Sequence, residues 1–422
     1  MATSTSAKKH LRTTLLVPEM RRRHYAQTVA DSKAGKKVAW CSNNIPSEIL
    51  EAMDVTAVYL ENYATVCASK RLSSAFCRAG ERAGFSQDVC GYARILMGYL
   101  LGGEDLPEAP YGGPAKPDLL IVNSYSCDSR MGWFTTMART LDLPLYVLDS
   151  PYQPGGGCAD PENVVYTESQ LRGLITFLEE QTGTRLDPAW LRERLELAAR
   201  ANDIQVEIYE MRKHVPSPMG AGDAYTAVWP GMYLTGTEEC DRFYQELRAE
   251  MRERIEAGIG IVPEERLRLM WSGLPFWYNM SLMNYFEEKG GVVAIENAFF
   301  RQLRSLPPQD QDPVRDMALR STLRRGYAGG IGERIDLTVE VARQYRIDGV
   351  ILSYNPSCRL FYILQPALKN ALDRAGIPTL ALECDMADER TYSEGQVKTR
   401  LDAFMERLLT RREGDRREAR PC

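Results

Sequence analysis

One order of landmarks occurs twice in this chain, and it restricts the fold to a duplicated α/β unit. In the first half a short apolar strand at Lys37–Trp40 runs into Cys41-Ser-Asn-Asn44, and a helix-like stretch follows at Pro46–Met53, with the proline at its first turn. Thr56–Leu60 reads as a second buried strand, ending in Glu61-Asn62. Asp118–Val122 is a third strand, followed by a loop carrying Cys127, a helix from about Arg130 to Leu141, and the strand Leu145–Leu148 before Asp149. The second half repeats this sequence of events. Leu267–Trp271 is a strand, Phe276–Glu288 an amphipathic helix, and Gly291–Ile295 a strand ending in Glu296-Asn297. Asp348–Leu352 then leads to Asn355-Pro-Ser-Cys358, and the strand Pro378–Leu382 precedes Glu383-Cys-Asp385. The Glu-Asn pairs lie 235 positions apart (61 to 296), the loop cysteines 231 (127 to 358) and the closing aspartates 236 (149 to 385). Near-constant offsets point to two copies of one unit, and strands alternating with helices point to parallel sheets.

The rest of the chain divides around these copies. A polar helical arm covers 1–36, α/β domain 1 covers 37–161 and α/β domain 2 covers 266–410. Between them, 162–265 is charged and helical in period at Leu171–Glu180, Leu191–Arg212 and Asp241–Ala257. A turn-rich break at Val215–Asp223 interrupts it, and the region reads as a helical insert or lid. An exposed loop is expected at 305–312 and a disordered charged tail at 411–422. A formal charge of −5 supplies no nucleic-acid footprint and no reason for an anionic membrane partner. The basic run Met20–His24 reads as a solvated helix face. A polar start without an apolar core, and no apolar stretch of spanning length, predict a cytoplasmic chain.

In that compartment the ten cysteines read as thiols, metal ligands or core filler rather than as a disulfide framework. No CxxC pair occurs, and His10, His24 and His214 form no metal-binding spacing. In open parallel sheets ligands bind beyond the carboxyl ends of the strands, where Cys127 and Cys358 fall, one per copy. Cys90, within Gly84–Arg94, falls at a helix start that favours a thiolate. Three thiolates from distant segments can hold a 4Fe–4S cluster and leave one iron open to a substrate oxygen. On spacing alone, buried filler is the other reading of each. Cys41 follows a strand end as an extra ligand, a neighbour of the cluster, or core. Cys67, Cys77 and Cys384 read as packed, and Cys158 and Cys240 carry no assigned role.

At this point a resemblance becomes visible. Val38–Met53, Tyr59–Ala68, Asp88–Arg94, Asn355–Arg359 and Leu382–Asp385, with Arg390, Tyr392 and Thr399-Arg400, resemble in order the signatures of the 2-hydroxyacyl-CoA dehydratase and benzoyl-CoA reductase family. The likeness runs from about Lys37 to Leu408. It implies two flavodoxin-like parallel-sheet domains with added helices, and a 4Fe–4S cluster on Cys90, Cys127 and Cys358. It also implies a homologous second subunit and a separate ATP-hydrolysing iron–sulfur activator. This chain has no Walker A pattern, and Gly329-Gly-Ile-Gly332 follows no strand. The implied substrate is an acyl-CoA or aryl-CoA whose carbonyl ligates the open iron and takes one electron to become a ketyl radical anion. A dehydratase would then expel a 2-hydroxyl; a benzoyl-CoA reductase would add a second electron and protons. Tyr59–Ala68 looks slightly closer to the cluster-bearing subunits of the reductases.

Within this frame Glu61 is a cleft-facing acid–base or orienting group, or else a helix cap or arginine partner. Ser42 and Asn43 are candidate hydrogen-bond donors to the thioester. Glu296 reads as structural, and Arg359 as charge compensation for the cluster or as a surface ion pair. The competing readings are a double-cubane small-molecule reductase with a ligand at Cys41, a noncatalytic electron-transfer subunit, and a cluster-free flavodoxin-like binding protein.

Overall fold

The computed structural model describes residues 10–103, 106–124, 127–152, 160–300, 310–323 and 330–418. Cys158, Cys422, Gly329 and most of the loop expected at 305–312 lie outside these residues. The arm contains α1 (Val17–Lys33). Domain 1 then runs β1 (Val38–Cys41), α2 (Ser47–Ala52), β2 (Thr56–Tyr59), α3 (Leu60–Ser69), α4 (Ser73–Arg82), α5 (Gly91–Leu101), β3 (Leu119–Asn123), α6 (Asp128–Leu141) and β4 (Leu145–Leu148). The insert holds α7 (Pro161–Thr182), α8 (Pro188–Met211), α9 (Ala221–Tyr233) and α10 (Glu238–Glu256). Domain 2 follows with β5 (Leu267–Ser272), α11 (Leu282–Glu287), β6 (Gly291–Glu296), α12 (Asn297–Phe300), α13 (Pro313–Leu323), α14 (Ile331–Gln344), β7 (Gly349–Tyr354), α15 (Arg359–Tyr362), α16 (Gln365–Arg374), β8 (Thr379–Glu383) and α17 (Glu394–Glu418), of which α13 crosses back to pack on α7, α8 and the domain 1 core.

Both sheets are parallel, with the order β2-β1-β3-β4 in domain 1 and β6-β5-β7-β8 in domain 2. This is the flavodoxin-like winding in each. The strands are short apolar runs because helices cover both sheet faces. Alternation along β1 and β3 sends Val38, Trp40, Leu120 and Val122 to one core, and Ala39, Cys41, Leu119 and Ile121 to the other.

The duplication extends to single hydrogen bonds. Val38 N–H donates to the Asp118 carboxylate at 2.8 Å while Asp118 N–H returns a bond to the Val38 carbonyl. Arg268 and Asp348, each 230 positions on, repeat the exchange at 2.7 and 2.8 Å. One difference is a register shift in the β5–β6 pairing, where Leu269 and Met270 pair with Val293 and Ile295 and Ala294 of β6 is the extra residue.

Several expectations change. The helix expected over Phe276–Glu288 is a 3₁₀ turn at Trp277–Asn279 and then α11. Trp277 N–H donates to the Met386 carbonyl, which takes that amide out of a helical ladder. The insert contains α9, which begins inside the stretch read as a loop and continues for 13 residues. The segment read as a disordered tail continues α17 to Glu418, because Arg411 bonds the Gly376 carbonyl and Arg412 pairs with Asp348. The arm is clasped to the insert. Asp223 of α9 accepts from Leu11 N–H and the Thr14 hydroxyl, and Glu250 of α10 accepts from Arg12 and Thr13 N–H. Among the described residues, no helix is long and apolar enough to cross a membrane.

Candidate active site

Strand order reverses between β1 and β3 in domain 1, and between β5 and β7 in domain 2. Loops leaving such a point splay apart and open a crevice. The two crevices meet in a cavity of about 310 Å³ lined from both domains, the arm and the insert. Cys90, Cys127 and Cys358 all lie in its wall. Each occupies the N-cap position of a helix: Cys90 of α5, Cys127 of α6 and Cys358 of α15.

The three thiols are half-buried and close enough to influence one another. Burial, and then the neighbouring Cys127 and Cys358, push the Cys90 thiol well above its ordinary range. Burial also pushes Cys358 up to about 12, against the pull of the Phe361 amide. Raised in this way, Cys90 and Cys358 are poor free nucleophiles, whereas a coordinated metal strips the proton outright. No disulfide consumes them. Among the described residues, no three His, Cys, Asp or Glu side chains gather as around a single ion. Three soft thiols in one cavity wall are the donor type that an iron–sulfur cluster takes.

A network holds the Cys90 helix against the Cys358 loop. Gly91 N–H donates to the Ser357 hydroxyl at 3.1 Å, and that hydroxyl bonds Asp385. Asp385 accepts from the amides of Ala387 and Asp388, each at 2.8 Å. Buried Arg94 reaches Glu81 at 2.9 Å, Asp388 at 2.7 Å and Asp385 at 3.5 Å. A Cβ on Gly91 would stand 2.6 Å from the Asp385 carboxylate, so only glycine permits this approach.

Beside the thiols, Glu61 of α3 forms a buried ion pair with Arg130 of α6, Oε1 to Nε, at 2.6 Å. Its other oxygen accepts from Asn43 N–H at 2.9 Å. Burial works against the Arg130 charge, but Glu61 and then Cys127 outweigh it and the guanidinium's pKa is raised. The Asn43 side chain accepts from the Tyr233 hydroxyl at 3.2 Å, and Asn62 accepts from Tyr25 and Trp229. The facing wall is α9, whose Tyr225, Trp229 and Tyr233 recur at four-residue spacing along one side.

The sequence pattern described as 2-hydroxyglutaryl-CoA dehydratase, D-component, matches residues 42–408. The chain belongs to this family. Among its relatives, the (R)-phenyllactyl-CoA dehydratase alpha subunit of Clostridium sporogenes is 25% identical, over 94% of this chain and 98% of its own length. A benzoyl-CoA reductase subunit of Thauera aromatica is 26% identical, over 94% of each chain. The (R)-2-hydroxyglutaryl-CoA dehydratase alpha subunit of Acidaminococcus fermentans is 23% identical, over 91% of this chain and 94% of its own. This D-component family member is therefore a subunit of an enzyme of the 2-hydroxyacyl-CoA dehydratase or benzoyl-CoA reductase type.

The other residues singled out in the sequence separate into cavity wall and scaffold. Glu61 and Asn43 line the cavity with the three cysteines. Ser42 is fully buried outside that lining, its hydroxyl accepting from Asn123 N–H at 3.0 Å across the β1–β3 junction. Cys41 points into the core on the opposite face of the sheet from Trp40, where burial raises its thiol pKa. Cys67 and Cys77 are core residues of domain 1, and Cys240 and Cys384 are buried in two further clusters. Glu296 is locked by Arg212 at 2.7 Å and by the Tyr209 hydroxyl at 2.6 Å. Arg359 lies at the surface and pairs with Asp128 at 2.8 Å. The sequence reading missed Arg130, the α9 wall, and Val17, Pro18 and Arg21 of α1. The repeat Tyr225-x₃-Trp229-x₃-Tyr233 was the available signal for α9.

Proposed function

We propose that this chain carries a 4Fe–4S cluster on Cys90, Cys127 and Cys358. With it the chain would reduce or dehydrate a CoA thioester, beside a homologous second subunit and an ATP-hydrolysing electron donor. The observation that carries the reading is that three thiols at helix N-cap positions, drawn from both domains, enter one cavity wall in a chain of this family. When bound, the cluster supplies a low-potential electron and an iron without a cysteine ligand, open to a carbonyl oxygen.

The protein's own groups serve that chemistry by placement. Arg130, next to Cys127 and Cys90, offsets negative charge at the thiolates, and Glu61 fixes its guanidinium. Glu61 acts as an orienting group, since both its oxygens are engaged. Asn43, held by Glu61 and Tyr233, presents an amide toward the same space. The aromatic wall of α9 keeps water from a reactive intermediate. The position of Cys41 in the core supports a single cluster rather than a double cubane.

The test is anaerobic turnover, with the second subunit, the activator and ATP, on a panel of (R)-2-hydroxyacyl-CoA thioesters and benzoyl-CoA. Conversion of either class, abolished by Cys127→Ala, is expected. No conversion of any thioester by cluster-loaded protein would overturn the reading.

A further inference from the structure

The run Arg21-Arg22-Arg23 on α1 divides in the folded chain. Arg22 and Arg23 are exposed and pair with Glu19 and Glu239. Arg21 turns the other way, into the cavity wall, one turn from Val17 and Pro18, which also line it. It forms no ion pair or hydrogen bond with any described residue. Its Nε is shielded from solvent with no acceptor. A desolvated donor without a partner is costly, more so on a charged group. Among the described residues the only carboxylate in the same wall, Glu61, is taken by Arg130. The cavity therefore presents one unmatched guanidinium, and its preferred complement is a planar or tetrahedral oxyanion.

We infer that Arg21 is an anion-recognition residue of this cavity. It takes an oxyanion carried by the thioester ligand itself: a phosphate of the CoA, or a carboxylate at the far end of the acyl group. The inference rests on the thioester reading above. Arg21 acts in binding and selection, away from the reacting carbonyl. Neutralising it lowers affinity only for ligands that bring the anion to it.

The experiment is calorimetric titration of the anaerobically purified full chain and its Arg21→Met variant. The ligands are butyryl-CoA, glutaryl-CoA and the corresponding pantetheine thioesters, which lack the nucleotide phosphates. If Arg21 meets a phosphate, the variant binds butyryl-CoA about tenfold or more weakly and butyryl-pantetheine unchanged. If it meets an acyl carboxylate, glutaryl-pantetheine alone among the pantetheine thioesters weakens. Arg22→Met, on the solvent face, leaves every affinity unchanged. Should the Met variant fail to fold, Arg21→Gln gives the same comparison with a shape-conserving polar group. Affinities within about twofold for every thioester would overturn the role of Arg21 and leave the thioester reading standing. Wild-type protein that binds none of them would sink both.

Discussion

His24 packs edge-on against Trp229 of the cavity wall and against Tyr25, with ring centroids at 5.7 and 5.5 Å. Burial lowers its pKa from 6.5 to about 4. Above pH 6.5 the ring is neutral in both the folded and unfolded states, so it costs nothing. Below that, the unfolded chain takes up a proton that the folded chain refuses, and stability falls as pH drops from 6.5 toward 4. The loss reaches up to about 3 kcal/mol at the lower end. His24→Phe keeps the ring packing and removes the titration, so its urea midpoint changes less over this window; an equal loss in both proteins would contradict the assignment. At this scale the sequence was informative about types more than partners. Glu61 was read as a cleft-facing acid–base or orienting group, or else as a helix cap or arginine partner; it lines the cavity and pairs with Arg130. Arg359, read as charge compensation for the cluster or as a surface ion pair, pairs with Asp128 at the surface. Pairing is decided by helix direction after the loop, which neighbouring sequence does not encode.

At the scale of elements, the Cys90 end of α5 is fixed by how tightly α5 packs on α4. A Cβ on Gly98 would stand 1.9 Å from the Phe76 carbonyl and 2.9 Å from Gly80 N, so the two helix backbones touch through their glycines. Gly98→Ala forces the pair apart and shifts Cys90, at an expected cost of about 3 kcal/mol. Gly132 of α6, with nothing within 4 Å, supplies the matched control: Gly132→Ala is neutral or stabilising by up to about 1 kcal/mol. Thermal denaturation of both variants checks this, and equal shifts would contradict the close packing. Strands were legible because apolar runs between turn formers have few other uses. Helix α9 was not, because Ala221-Gly-Asp-Ala opens it and Pro230 interrupts it, and both resemble loop chemistry. Its helicity comes from packing among α1, α10 and β6 rather than from propensity.

In the whole molecule, duplication supplies two sheets whose carboxyl ends face one another, and divergence makes one copy the polar side of the site. The Glu-Asn pair of domain 1 opens on the cavity, whereas in domain 2 Glu296 is sealed by Arg212 and Asn297 bonds Gly273 N–H. The repeat offset announced the two sheets. It said nothing of the arm and insert that close the cavity, because they occur once and meet only through tertiary contacts such as Asp223 with Leu11. The convergence of Cys90, Cys127 and Cys358 is the claim on which the rest depends. Iron and acid-labile sulfide analysis of the anaerobically purified chain tests it most directly. About four of each per chain are predicted, lost in Cys90→Ala, Cys127→Ala or Cys358→Ala and retained in Cys41→Ala. Iron-free wild-type protein under strict anaerobiosis, or full iron content after all three cysteines are replaced, would contradict the account.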